Sequence, residues 1–193
     1  MAKTQLVIIL DKSGSMHGLE EDVIGGYNTL IEQQKKKSGR TKVTTILFDT
    51  TYNVVHDYKS IKTIPQMERK DYRPSGCTAL LDTIGYAINN VKKQHAKMDK
   101  VPENVIFSIM TDGLENSSRK YTYPLIKEMI EEQKKLGWDF IFQAANIDTY
   151  EEARKLGINR DDAVSFKASK DGVRLCFCCI DNKIAEKMNK KRS

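Results

Sequence analysis

The apolar run Leu6-Val-Ile-Ile-Leu10 stops abruptly at a carboxylate, Asp11. A continuous apolar run of this length, rich in β-branched residues, fits a strand buried on both faces, as in a parallel sheet. Parallel strands need crossover connections, which helices supply, so this stretch points the chain toward an α/β architecture. The end of such a strand is the sheet edge where α/β proteins keep their ligands. Here that edge carries Asp11-Lys-Ser13-Gly-Ser15. One carboxylate and two hydroxyls on a tight turn form an oxygen-only cluster, the donor type that hard cations such as Mg²⁺ take.

The rest of the chain alternates between strand and helix patterns. Strand one is read as Gln5–Asp11 and is followed by a helix over Leu19–Lys37. Glu20, Glu21 and Asp22 suit that helix's N-terminal dipole, and Val23, Tyr27, Leu30 and Ile31 form its inward stripe. Gly25-Gly26 interrupts it at a cost of about 1 kcal/mol per Gly relative to Ala, so close packing against the sheet is expected there. Ser38-Gly39 is read as its stop. Thr41–Phe48 is a second strand, Asp49-Thr50-Thr51 a turn, and Tyr52–Tyr58 an alternating antiparallel edge strand. Residues 59–77 form a long loop with Pro65 and Pro74, a length that usually signals function. Ala79–His95 is a helix with an apolar face of Leu80, Leu81, Ile84, Ile88 and Val91.

Val105–Met110 reads as a central strand ending in Thr111-Asp112-Gly113. Tyr123–Leu136 is a helix, Trp138–Ala145 a strand, Thr149–Leu156 a short helix and Ala163–Phe166 a short strand. Asp171–Lys190 is the expected closing helix, although Val173–Ile180 alone also fits a strand. The fold expected is α/β: a doubly wound, mostly parallel six-stranded sheet with one antiparallel edge strand and helices on both faces. A single domain over 1–193 is expected from the length.

Asp11-x-Ser13-x-Ser15 resembles the signature of the von Willebrand factor A (vWA) domain family, where it forms most of a metal-ion-dependent adhesion site. In that family a Thr on a second loop and an Asp at the end of a third strand complete the site. Thr78, in Ser-Gly-Cys-Thr-Ala-Leu-Leu-Asp, and Asp112, in Ile-Met-Thr-Asp-Gly, stand in the matching places and order. The resemblance covers nearly the whole chain. It implies a metal site of Asp11, Ser13, Ser15, Thr78 and Asp112 holding Mg²⁺, with Mn²⁺ as the alternative. Asp112 would bind directly or through water, and the Thr and Asp contacts would exchange as ligand arrives, as in the family. Two carboxylates against a dication leave a formal charge near zero and an open position suited to a partner's Asp or Glu. The implied function is Mg²⁺-dependent protein binding without catalysis. Bacterial intracellular members of this bare type occur beside AAA+ ATPases, in chelatases and in metal or tellurite stress systems. The sequence does not choose among these.

Each ligand also has an ordinary structural reading. Ser15 and Thr78 suit helix N-caps, and Asp112-Gly113 suits a plain turn. His17, beside the motif, would meet a partner or simply solvent. Glu115 and Asn116 follow Asp112 as supporting or rim residues. Cys77 abuts Thr78. Cys176, Cys178 and Cys179 lack a nearby second Cys or His pair to close a zinc tetrahedron, so burial on the closing helix is expected for them.

Composition narrows the classes. No stretch approaches the ~20 apolar residues of a membrane span. Met-Ala-Lys-Thr-Gln runs directly into the first strand, so no signal peptide is expected. Four cysteines, three of them crowded together, do not suggest a disulfide framework. A cytoplasmic, reduced protein is expected, and the sequon Asn116-Ser117-Ser118 then carries no meaning. The net charge of +6 concentrates at Lys35–Lys37 with Arg40 and Lys42, and at Lys187, Lys190, Lys191 and Arg192. Both clusters lie near expected helix C-termini, where cations oppose the dipole. No recognisable nucleic-acid motif accompanies them, so nucleic acid is not the expected partner.

A metal-dependent phosphohydrolase is the competing enzyme reading, since an Asp ending strand one also begins haloacid-dehalogenase-type sites. Those sites need a second Asp two residues on, where this chain has Ser13. A Walker A loop is absent, and His17 is the only general-base candidate near the turn. A nucleic-acid binder acting through the basic clusters is the third reading, and it predicts a steep salt dependence.

Overall fold

The structure, a computed structural model, describes residues 3–37 and 40–190, with side chains to residue 187. Six strands, β1 (Thr4–Asp11), β2 (Thr41–Phe48), β3 (Tyr52–Ser60), β4 (Asn104–Thr111), β5 (Trp138–Ala144) and β6 (Ala163–Ser165), form one sheet in the order β3-β2-β1-β4-β5-β6. All pairings are parallel except β2 with β3, which is antiparallel and irregular near Thr45. The strand order reverses at β1: the chain leaves it for β2 on one side and returns to β4 on the other. The crevice beyond the C-terminal ends of β1 and β4 is therefore the switch point at which ligands of such sheets bind.

Five helices cover the two faces: α1 (Glu20–Lys36), α2 (Leu80–His95), α3 (Tyr123–Lys135), α4 (Thr149–Lys155) and α5 (Lys170–Lys190). Alternation along β1 divides the core. Leu6, Ile8 and Leu10 join the inward stripes of α1 and α5. Val7 and Ile9 join α2, α3 and α4. This is the expected architecture, with element ends shifted by a residue or two. The edge strand runs on to Ser60, and the long loop opens with a 3₁₀ turn at Ile61–Thr63.

Residues 173–180, compatible with a strand by composition, are helical. Val173, Cys176, Phe177, Ile180 and Ile184 are all buried, a spacing that only a helix turns to one side. That stripe corrects the expectation for the cysteines: Cys176 is buried, while Cys178 and Cys179 are exposed. Cys178 lies one turn beyond Leu175, itself 65% exposed, on the outer side.

The close packing expected at Gly25-Gly26 occurs at Gly26 only, and against α5 rather than the sheet. A Cβ on Gly26 would lie 2.1 Å from the Phe177 ring, whereas one on Gly25 would meet nothing within 4 Å. The Ser38-Gly39 helix stop and the basic residues Lys191 and Arg192 lie outside the described residues.

Candidate metal centre

β1 delivers Asp11 to the switch point, and β4 delivers Asp112 one residue past its end. The register pairs Leu10 with Met110, so Thr111 arrives opposite Asp11. Its hydroxyl donates to Asp11 Oδ2 at 2.6 Å, while the Ser13 backbone N–H donates to Asp11 Oδ1 at 2.7 Å. Ser13 Oγ and Ser15 Oγ lie 3.1 Å apart, and the Ser15 hydroxyl donates to Asp112 Oδ1 at 2.5 Å. A Cβ placed on Gly113 would sit 3.7 Å from Ser15 Oγ and 3.8 Å from Thr78 Oγ1, so both hydroxyls converge on that glycine. The structure thus brings Asp11, Ser13, Ser15, Thr78 and Asp112 to one place. All except Ser15 are buried, and Ser15 is the open side.

The capping readings do not hold. Ser15 sits in a 3₁₀ turn over Gly14–Met16, well before α1, and the position ahead of α1 is Leu19. Thr78 is one residue too early for α2, whose N-terminal N–H groups are met from elsewhere. Leu81 N–H donates to Glu115 Oε2 and Asp82 N–H to Ser118 Oγ, at 2.8 and 2.9 Å. Both serine and threonine hydroxyls are therefore left to the cluster.

The second loop is tied down by its neighbours. Gly14 N–H donates to Gly76 O, Ser75 N–H to Lys12 O and Cys77 N–H to Thr50 Oγ1, all within 2.8–3.0 Å. Gly76 has φ of +68°, and a Cβ there would lie 2.5 Å from Thr50 Oγ1, so the position demands glycine. Asn116 clamps Thr78 from both sides: its Oδ1 accepts from Thr78 N–H at 2.8 Å, and its own N–H donates to Thr78 O at 3.1 Å. Glu115 accepts from the N–H groups of Ser117 and Ser118 as well as from Leu81, bracing the same loop against α2. Tyr72, fully buried in the long loop, donates its hydroxyl to the Asp11 carbonyl. Sequence reasoning left Thr111 and Tyr72 unassigned and placed Glu115 and Asn116 only loosely.

The electrostatics are those of an anionic hollow. Burial raises the carboxyls of Asp11 and Asp112 above the ordinary carboxylate range, against the lowering effect of their hydroxyl partners. The Asp112 charge raises Asp11 further. The nearest cation in sequence, Lys12, is engaged elsewhere, in an ion pair with Asp49. Asp112 Oδ2 is buried and has no hydrogen-bond partner among the described residues. Buried carboxylate oxygens are almost always satisfied, so an orphan here fits a cation. No group of three or more His, Cys, Asp or Glu placed to hold a metal ion occurs among the described residues. The donor set is two carboxylates and three hydroxyls, which suits Mg²⁺ or Mn²⁺ rather than zinc. His17 lies outside the cluster, two-thirds exposed, with Nδ1 3.4 Å from Glu20 Oε1.

The model of the von Willebrand factor type A domain matches residues 5–174. The chain belongs to that family. The vWF domain of the type V pili tip protein Mfa5 from Porphyromonas gingivalis superposes with a TM-score of 0.68 at 10% identity, covering 97% of this chain and 96% of that one. The PilB minor pilin from Streptococcus sanguinis does so with a TM-score of 0.68 at 12% identity, over 97% of this chain and 62% of that one. Proximal thread matrix protein 1 from the mussel byssus gives 0.65 at 16% identity, over 93% of this chain and 45% of that one. The chain thus spans 45% and 62% of the lengths of the latter two, and at these identities the likeness is one of fold. No curated protein sequence matches the chain. As a vWA domain it has the fold of a family that commonly mediates protein–protein interaction. No helix among the described residues is long and apolar enough to cross a membrane.

Proposed function

We propose that this vWA domain is a non-enzymatic, Mg²⁺-dependent protein-binding module that engages a partner's Asp or Glu through the bound metal. The observation that carries the reading is the buried, unpartnered Asp112 Oδ2, set beside a second buried carboxylate and a row of hydroxyls. Asp11, Ser13, Ser15, Thr78 and Asp112 would hold the ion, and Mn²⁺ would suit the same oxygens. The ion, when bound, would supply an electrophilic centre for a partner's carboxylate, and Ser15 is the exposed member of the set. The chain's own residues do the orienting: Thr111 and the Ser13 N–H fix Asp11, Ser15 fixes Asp112, and Asn116 fixes Thr78.

Binding is favoured over hydrolysis because the histidine beside the turn, His17, is turned to Glu20 and solvent. It is favoured over nucleic-acid binding because three lysines of the basic clusters are engaged at home. Lys35 pairs with Glu32, Lys37 with Asp181, and Lys187 with Asp139 and Asp162. The four cysteines are all free, which supports a reducing compartment, the cytoplasm. Within it, a bacterial multi-protein complex of the AAA+ ATPase, chelatase or metal and tellurite stress type is the setting we favour.

A pull-down from native extract, in Mg²⁺ and in EDTA, tests the reading. A protein retained by wild type only in Mg²⁺, and lost with Thr78→Ala, is the expected result. Retention indifferent to both chelator and Thr78 would sink it. Asn116→Ala is expected to weaken Mg²⁺ binding about threefold to tenfold, the equivalent of one lost hydrogen bond. Calorimetric titration checks this, and an unchanged affinity would remove Asn116 from the positioning role.

A further inference from the structure

The turn that carries Ser13 and Ser15 also borders a second feature. An open cleft of ≈ 450 Å³ is walled by His17 and Glu20 on one side and by Arg69, Lys70, Tyr72 and Arg73 on the other. It is anchored to the candidate metal centre. Tyr72 is buried with its hydroxyl on the Asp11 carbonyl, and two residues past Arg73 the Ser75 N–H reaches Lys12 O at 2.8 Å. The basic segment is therefore held beside Asp11 from two sides.

The residues that line the cleft carry a surplus of positive charge, with the acids Glu21, Glu68 and Asp71 beside it. Three permanent cations face one carboxylate, Glu20, which already accepts from Gly18 N–H at 2.8 Å and lies beside His17. Arg69 pairs with Glu21 at 3.1 Å and Lys70 with Glu68 at 2.9 Å, and every member of these pairs is more than 60% exposed. Ion pairs so exposed contribute little, so either cation can transfer to an incoming anion at small cost. Arg73 is exposed and forms no ion pair among the described residues. Three cations on one wall are the complement of an anionic segment.

We propose that this cleft is the second anchor for the partner, taking acidic side chains that flank the Asp or Glu held at the metal. The partner segment is then an acidic stretch of polypeptide rather than an isolated carboxylate. The inference rests on the metal-bridged reading above and adds the chemistry of the partner to it. It also accounts for the long loop after β3, which carries the cleft and then presents Thr78. Charge complementarity of this kind acts mainly on specificity and encounter rate, and it weakens with salt.

The test uses the full chain and two fluorescein-labelled peptides on a Gly-Ser scaffold, one with a single Asp and one with that Asp followed by four Glu. Consecutive acids remove the need to know the register. Anisotropy in excess Mg²⁺ is expected to show the acidic peptide bound about tenfold tighter, equivalent to about 1.4 kcal/mol. Arg73→Glu combined with Lys70→Glu is expected to erase that difference without changing the single-Asp peptide or the melting temperature. Equal binding of the two peptides, both lost in EDTA, would overturn the cleft and leave the metal reading standing. Tight binding of the acidic peptide that ignores EDTA and Thr78→Ala but is lost on charge reversal would support the cleft and overturn the metal reading. Binding of neither peptide overturns the proposal. So does an oligothymidylate that displaces the acidic peptide at lower concentration, since the occupant would then be nucleic acid.

Discussion

Replacing Asp112 by Asn is expected to abolish the stabilisation of this protein by Mg²⁺ while leaving the metal-free protein at least as stable as wild type. Asp112 is 2% exposed; its Oδ1 accepts from Ser15, and its Oδ2 has no partner. An Asn retains the first contact and removes the charge whose burial is the penalty. In wild type, Mg²⁺ at about 100 times its dissociation constant adds about 2.7 kcal/mol. For a chain of this length that corresponds to a melting temperature about 5–10 °C higher. Scanning calorimetry of both proteins in Mg²⁺ and in EDTA checks this. An equal Mg²⁺ shift in the variant would remove Asp112 from the site, and a variant that melts far lower in EDTA would make the residue structural.

The same carboxylates give the effect a pH dependence with a definite sign. Burial raises both Asp11 and Asp112 above their ordinary value of 3.8. The folded state therefore holds these protons more tightly than the unfolded state. Their contribution to stability is fully present below 3.8 and is lost as pH rises through the raised folded values. Asp49 and Asp82 run the other way. Burial opposes them, but Lys12 and Thr51 hold Asp49 low, and the N–H groups of Arg119, Lys120 and Tyr121 hold Asp82 low. Their stabilisation fades on acidification. Comparing wild type with Asp112→Asn cancels those groups. In EDTA the stability of wild type relative to the variant is expected to improve as pH falls. The Mg²⁺-dependent gain of wild type is expected to shrink over the same range, because the ion requires ionised carboxylates.

What could be read from the sequence was what is local. Asp11, Ser13 and Ser15 fall on one turn after one apolar run, and the mostly parallel sheet with its antiparallel edge strand follows from the alternating patterns. Thr78 and Asp112 were visible because each stands at a junction of the type the family resemblance requires. The supporting contacts are distant in sequence. Thr111 reaches Asp11 across 100 residues, Tyr72 reaches it across 61, and Asn116 reaches Thr78 across 38. Thr111 needs the β1–β4 register to be known, and no periodicity supplies that. The capping alternative for Thr78 failed for a related reason: the α2 terminus is satisfied by Glu115 and Ser118, from a loop more than 30 residues away. On α5, composition alone left helix and strand open for residues 173–180, and only the packing stripe against α1 decides between them.

That α1–α5 contact yields the second large effect, through adjacent glycines with opposite expected signs. Gly25→Ala is expected to stabilise the protein by up to about 1 kcal/mol, the helix-propensity gain, because a Cβ there meets nothing within 4 Å. Gly26→Ala is expected to destabilise it by about 1–3 kcal/mol, lowering the melting temperature by about 3–10 °C. Its Cβ would lie 2.1, 2.6 and 2.8 Å from three atoms of the Phe177 ring. Phe177 is 3% exposed within the α1–α5 side of the core, so making room for the Cβ means moving a buried ring. Relief by parting the helices would uncover the stripe that Val173, Cys176 and Ile180 bury. Phe177→Leu in the Gly26→Ala background is expected to recover part of the loss, a coupling of at least about 0.5 kcal/mol in a double-mutant cycle. Propensity alone predicts the same sign at both glycines. Equal stabilisation of Gly25→Ala and Gly26→Ala would therefore refute the close approach of α5 to α1.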